Sequence, residues 1–187
     1  MRIGFDFDGV LCVTPFGRLA VHKPGTVPEL PDGWERLYEQ PRRADPLRLA
    51  VEYARFAWRT SAPDAVAVLR QLASAHEVYI VTGRSWTGER IVRGWLRRHG
   101  LDGFVRGVRM APPGLRPAQH KLATAKLLGL EAHIDDDPRT AYYLAAHGVR
   151  TYLYDHAGAH GNAPLPAGLV LVRSLREFAE AVETASK

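Results

Sequence analysis

The sequence predicts an α/β fold: a parallel sheet with helices on both faces and a small helical cap inserted after the first strand. Three observations lead there. Past residue 60, short β-rich runs alternate with helical stretches at the spacing of strand–helix–strand units. Acidic residues fall where the first strand and a later one end, as Asp6-Phe7-Asp8-Gly9 and Asp135-Asp136-Asp137. Between residues 13 and 60 the rhythm lapses, and prolines replace it.

Residues 2–7 read as the first strand, ending in acid and then Gly9. In the insert, residues 14–46 hold Pro24, Pro28, Pro31, Pro41 and Pro46 beyond Pro15 and read largely as loop. Residues 47–58 read as a helix with Leu47, Val51, Ala54 and Trp58 along one stripe. Trp34, Tyr38, Phe56 and Trp58 would give the insert a small core of its own, and its place at the mouth of the site also suits a lid. Residues 62–75 form a helix that Ser61 can cap, with Pro63 in its first turn and Val66, Leu69 and Leu72 on one face. Residues 77–81 are the second strand, broken by Thr82-Gly83. Helix 89–99 carries Ile91, Val92, Trp95 and Leu96 on one side and stops at Gly100.

Residues 104–108 are a third strand, and the Pro/Gly-rich loop 111–117 leads into a helix that ends at Gly129. Residues 132–134 are a strand running into the three aspartates. Pro138 occupies the first turn of the next helix, which Gly148 ends. Strands 149–154 and 169–172 flank a loop, and Ser174 caps a closing helix. Ligands of such sheets bind beyond the carboxyl ends of the strands.

Composition narrows the class. The chain has 187 residues, 46% hydrophobic and 24% charged, which excludes a disordered chain. Its single cysteine, Cys12, excludes a disulfide framework and points to a reducing compartment. No apolar run approaches the roughly 20 residues that span a bilayer, and Met1-Arg2 leads straight into the first strand without a signal-peptide core. A cytoplasmic location without a membrane partner is the expectation. Lys and Arg number 25 against 20 acids, a net charge of +5, and only Lys23, Lys121, Lys126 and Lys187 are lysines. An arginine surplus suits an anionic substrate as well as a plain solvated surface, and Arg42-Arg43 and Arg97-Arg98 form no polybasic tract.

The chemistry rests on four elements. Asp6 and Asp8 lie two apart, so in an extended chain both carboxylates could face one site, and Gly9 then lets the chain turn. One carboxylate can act as nucleophile and its neighbour as acid and base. Thr82-Gly83 offers a hydroxyl and a backbone N–H to a phosphoryl oxygen. Lys121 can neutralise a carboxylate and a phosphate together. Asp135-Asp136-Asp137 supplies the hard oxygen ligands that Mg²⁺ prefers, and these acids would equally serve as a helix cap beside Pro138. Trp86 and Arg84 lie near the mouth, and His22 and Lys23 could reach it from the insert. Cys12 reads as a buried apolar residue, and His156 and His160 as a loop rim rather than a metal pair.

Together these segments resemble the haloacid dehalogenase superfamily. Asp6-Phe7-Asp8-Gly9-Val10 matches its first motif and Thr82 within Val-Thr-Gly-Arg its second. Lys121 suits the third, and Ile134-Asp135-Asp136-Asp137-Pro138 the fourth. The resemblance implies a Rossmann-like core of residues 1–12 and 61–187, with 13–60 as a small cap. It implies phosphoryl transfer with Mg²⁺ through an aspartyl-phosphate. Asp6 would attack phosphorus. Asp8 would protonate the leaving oxygen, then activate water, and offer its backbone carbonyl to the metal. Thr82 and Lys121 would hold the phosphate, joined by Phe7, Gly83 and Arg84. Asp6, Asp8 and Asp136 would bind the metal while Asp135 supports the lysine, and Asp137 is left between metal ligand and helix cap.

Val10 stands where many superfamily phosphatases carry Thr, as in the nucleotidase-like branch, and Asp8 argues against a dehalogenase. The stretch Ile-Asp-Asp-Asp-Pro-Arg-Thr-Ala, with Gly-Val-Arg-Thr-Tyr-Leu-Tyr-Asp-His, resembles bacterial 5′(3′)-deoxyribonucleotidase-like proteins. That resemblance implies a nucleotide or another small phosphorylated metabolite as substrate. A rival resemblance, from Thr-Gly-Arg-Ser and the run from Gly94 to Gly100, is to polynucleotide 3′-phosphatase domains, which would make nucleic acid the partner. A reading of another class is a non-catalytic nucleotide or phosphoprotein binding module that kept the scaffold.

Overall fold

The computed structural model describes residues 1–14, 26–40, 46–56, 58–155, 158 and 165–186. After β1 (Arg2–Phe5) and β2 (Cys12–Val13) come α1 (Pro46–Phe56), β3 (Thr60–Ser61) and α2 (Ala65–Ala73). The chain continues through β4 (Glu77–Ser85), α3 (Glu89–Arg98), β5 (Gly107–Ala111), α4 (Pro117–Leu128) and β6 (Ala132–Asp135). It closes with α5 (Pro138–Ala146), β7 (Arg150–Tyr154), β8 (Leu169–Val172) and α6 (Leu175–Ala185). Six strands pair in parallel in the order β5-β4-β1-β6-β7-β8, which is the α/β sheet the alternation predicts. The chain runs outward from β1 to β5 and then returns to β6 on the other side of β1. That reversal opens a crevice at the carboxyl ends of β1, β4 and β6.

Side-chain alternation sorts the two faces. Ile3, Phe5, Val78, Ile80, Ala132 and Ile134 point into one core with α2, α3 and α6. Val81 points the other way, to Ala118, Leu122 and Ala125 of α4 and Leu144 of α5. The same period sets His133 and Asp135 on one side of β6. His133 pairs across from Gly4, and a Cβ at Gly4 would stand 2.5 Å from His133 Nδ1, so the missing side chain makes room for the ring.

Several boundaries differ from expectation, each for a local reason. β1 ends at Phe5, because residues 7–12 wind into a closed turn in which the Phe7 carbonyl accepts from the N–H groups of Leu11 and Cys12. β4 runs on through Thr82-Gly83 to Ser85, absorbing the break as a shift in register. The third strand starts at Gly107, since Asp102–Phe104 forms a 3₁₀ turn. Ser61 does not cap α2. It pairs with Cys12 in the antiparallel ribbon of β2 and β3, and Asp64, at φ 61°, precedes the helix instead. The Ser174 hydroxyl does accept from Glu177 N, at 3.1 Å.

The insert does not gather one aromatic core. Trp34 packs edge-on to Tyr38, Phe56 stacks on Phe7 of the main core, and Trp58 is 78% exposed. The stripe of Leu47, Val51, Ala54 and Trp58 faces outward, while the inner side of α1 presents Leu49, Glu52 and Phe56. Hydrophobic period alone selects the wrong face here, because the inner side carries Glu52 for an ion pair. Residues 26–40 lie along α4: Gln119 Nε2 donates to the Pro28 and Glu29 carbonyls, at 3.2 and 2.7 Å. No helix among the described residues is long and apolar enough to cross a membrane.

His120 joins this segment to α4. Its Nδ1 accepts from the Tyr38 hydroxyl at 2.7 Å, and Nε2 donates to the Arg109 carbonyl at 3.3 Å. Burial pulls its pKa from 6.5 down to about 3. The unfolded chain therefore takes up a proton at this site below pH 6.5 that the folded chain refuses until about 3. Its contribution to stability is full above pH 6.5 and is lost as pH falls toward 3, at about 1.4 kcal/mol per pH unit. Urea unfolding across this window will show stability rising with pH more steeply in wild type than in His120→Gln, by about that slope. Equal slopes for the two proteins would contradict the assignment.

Candidate active site

Asp6 follows β1 directly and Asp135 ends β6, so two adjacent strands deliver two carboxylates to the same crevice. Lys121 stands between them, its Nζ 3.0 Å from Asp6 Oδ1 and 2.7 Å from Asp135 Oδ2. All three are buried. The lysine is put there by a close approach of α4 to β4. A Cβ on Gly83 would lie 2.6 Å from Pro117 Cβ, so only glycine lets the first turn of α4 rest on the strand end. Lys121 comes four residues, about one turn, after Pro117. Gly83 thus has a packing role that the sequence alone does not show.

Asp136 completes the acidic group. Asp6, Asp135 and Asp136 each offer a carboxylate oxygen, and these three oxygens lie within 4.8 Å of one another. Gly9, at φ 79°, turns the chain against Asp136, and a Cβ there would fall 1.6 Å from its Oδ2. Three buried carboxylates face one ammonium, so a divalent cation fits both the charge and the all-oxygen donor set. The titration of the pair agrees. Burial drives the Asp6 carboxyl well above the usual range, and Lys121 only partly offsets it. At Asp135 burial also opposes the charge, but the Lys121 ammonium and the His133 N–H outweigh it and hold the carboxyl at about 2.

His133 is a member that sequence reasoning missed. It is fully buried, and its Nε2 lies 3.1 Å from the same Asp135 oxygen that Lys121 holds. Burial lowers its pKa, so the ring is neutral and Nε2–H donates. The signal was available: His133 lies two residues before Asp135 on a strand, the relation that linked Asp6 to Asp8. Asp135 Oδ1 accepts from Asp137 N at 3.0 Å. Asp137 itself caps α5, accepting from Arg139 N and, at 3.0 Å, from the Thr140 hydroxyl.

Asp8 takes a different direction from Asp6. Arg84 grips it with two bonds, Nε to Oδ2 at 2.6 Å and Nη2 to Oδ1 at 2.7 Å, and Arg59 also donates to Oδ1. Arg84 is bonded in turn to Glu52 of α1 and lies 4.4 Å over the Phe56 ring. Thr82 is buried, and its Oγ1 accepts from Arg84 N at 3.3 Å. The Phe7 side chain is wholly in the core, between Phe56 and Trp95, which leaves its backbone as the part a ligand can meet. Trp86 is buried in the same core. Burial pushes the Cys12 thiol up to about 12, which suits a packing residue and not a nucleophile. His22, Lys23, His156 and His160 lie outside the described residues. Arg59 and Glu52 carried no sequence signal that set them apart from the other charged residues of the insert.

The parallel sheet in the order β5-β4-β1-β6-β7-β8, with its flanking helices, belongs to a known fold class. The chain has the fold of the haloacid dehalogenase-like proteins. Among solved structures it is similar to a haloacid dehalogenase-like family hydrolase from Streptococcus pneumoniae, at 16% identity and TM-score 0.59, over 100% of this chain and 98% of that one. It is similar to a 2-haloacid dehalogenase from Pseudomonas syringae pv. Tomato, at 17% identity and TM-score 0.60, over 98% of each chain. A HAD-superfamily hydrolase from Geobacter sulfurreducens aligns at 19% identity and TM-score 0.55, over 96% of this chain and 98% of that one. No family model matches the sequence, and no curated protein does.

Proposed function

We propose that the protein is a Mg²⁺-dependent phosphomonoester hydrolase that acts through an aspartyl-phosphate on Asp6, with a nucleotide or another small phosphorylated metabolite as substrate. The observation that carries this reading is the buried Asp6–Lys121–Asp135 set beside Asp136, at the carboxyl ends of β1 and β6. Asp6, Asp136 and the Asp8 backbone carbonyl would hold Mg²⁺. Bound there, the ion supplies positive charge that favours the ionised Asp6 and offsets charge on the phosphoryl oxygens.

The chain's own residues account for the remaining chemistry. Lys121 orients Asp6 and meets the phosphoryl group, and Asp135 with His133 fixes the lysine. Thr82 presents its hydroxyl to a phosphoryl oxygen from the end of β4. One Asp6 oxygen attacks phosphorus as the bond to the leaving oxygen breaks, and Asp8 delivers a proton to that oxygen. Asp8 then takes a proton from water as the water attacks phosphorus, which frees inorganic phosphate and restores Asp6. Asp8 also separates this reading from that of a dehalogenase, which has no leaving oxygen to protonate.

The reading is tested by phosphate release from nucleoside monophosphates, sugar phosphates and 3′-phosphorylated oligonucleotides, with Mg²⁺ and with EDTA. Release that needs the metal is the expected result, strongest on a small substrate. Strongest release from the oligonucleotides would move the substrate to nucleic acid. Binding of nucleotides with no release from any ester would replace the enzyme by a binding module.

A further inference from the structure

Two cationic positions lie beside the carboxylates of this site. Lys121 stands at Asp6, on the attacking side. Arg84 and Arg59 converge instead on Asp8, the residue assigned to the leaving oxygen. They come from separate elements, Arg84 from β4 and Arg59 from the residue before β3, and their side chains are only 13% and 17% exposed. Arg84 presents the two-pronged face that fits a planar oxyanion, and the Phe56 ring backs its guanidinium. Two acids of the chain itself fill the place now. Asp8 accepts from both arginines, and Glu52 accepts from the outer edge of Arg84.

That arrangement is at odds with Asp8's task. A carboxyl that hands a proton to a leaving oxygen must turn an oxygen toward it, yet both Asp8 oxygens receive guanidinium N–H groups. A group that took over those donors would release Asp8 for that task. We propose that Arg59 and Arg84 form a subsite for a second anionic group, a carboxylate or a second phosphate, carried on the leaving-group side of the substrate. That group displaces Asp8 and Glu52 from the two guanidinium groups and frees Asp8 to face the leaving oxygen. The inference rests on the phosphatase reading and narrows its substrate class to phosphomonoesters with a nearby second oxyanion.

The test compares matched esters that differ in that group, with Mg²⁺ present: 2-phosphoglycolate against ethyl phosphate, and a nucleoside 3′,5′-bisphosphate against its 5′-monophosphate. The first pair reads a carboxylate and the second a phosphate. In wild type, kcat/KM favours the doubly anionic member of at least one pair by about tenfold to a hundredfold. In Arg59→Gln that ratio falls toward one, and in Arg59→Lys part of it returns. Because the ratio is taken within each protein, a general loss of activity or stability in a variant does not alter it. Equal rates within both pairs for wild type, or a ratio unchanged in Arg59→Gln, overturns the subsite. No phosphate from any ester overturns the phosphatase reading itself, a different result from equal release.

Discussion

Asp6→Asn will abolish phosphate release, by about a thousandfold or more, and will raise the melting temperature of the metal-free protein. The first effect follows from removing the attacking oxygen. The second follows from burial, which lifts the Asp6 carboxyl above its unfolded value despite Lys121. The folded chain therefore holds this proton more tightly than the unfolded chain does. Stability is lost as pH rises from about 3.9 through the raised folded value, and the loss is complete above it. Asparagine carries no charge to desolvate and still offers Lys121 an oxygen, so in EDTA at neutral pH the variant melts a few degrees higher. Adding Mg²⁺ reverses the order, because the ion stabilises the wild type more. A lower melting temperature for the variant in EDTA would contradict this account of the site.

Lys121→Met moves stability the other way. Methionine matches the length of the stem but leaves Asp6 and Asp135 facing each other without the ammonium that both contact. Breaking a buried pair from one side costs about 3–5 kcal/mol, and phosphate release is lost with it. Urea unfolding in EDTA measures the cost, and a loss below about 1 kcal/mol would show that the lysine is not the counter-charge described here. In the double variant Asp6→Asn/Lys121→Met part of the loss returns, since one of the two stranded charges is gone. Opposite signs from the two ends of one ion pair would support a site shaped for function at the expense of stability.

Most of this site was legible because its chemistry falls at strand ends. Asp6, Lys121 and Asp135-Asp136 could be placed from alternation and residue type, and the structure brings them together. The period-two relation between Asp6 and Asp8 was less informative. β1 stops at Phe5, so the rule no longer applies past it, and the Asp8 carboxylate turns to arginines instead of joining the acidic group. Gly83 looked like a phosphate-facing turn, whereas its missing side chain admits α4, a relation between segments far apart in the chain. The insert was least legible. Its outward apolar stripe outweighs the inner side of α1, where Glu52 contributes an ion pair that no local pattern encodes.

The proposed hydrolysis passes through a phosphoryl group carried on Asp6. Wild type mixed with p-nitrophenyl phosphate and Mg²⁺, quenched in acid during turnover and digested, can be mapped by mass spectrometry. One phosphorylated peptide is expected, the one containing Asp6, with the modification removed by hydroxylamine and missing from Asp6→Asn. Steady phosphate release with the phosphoryl group on another residue, or with no phosphorylated enzyme at any quench time, would contradict it.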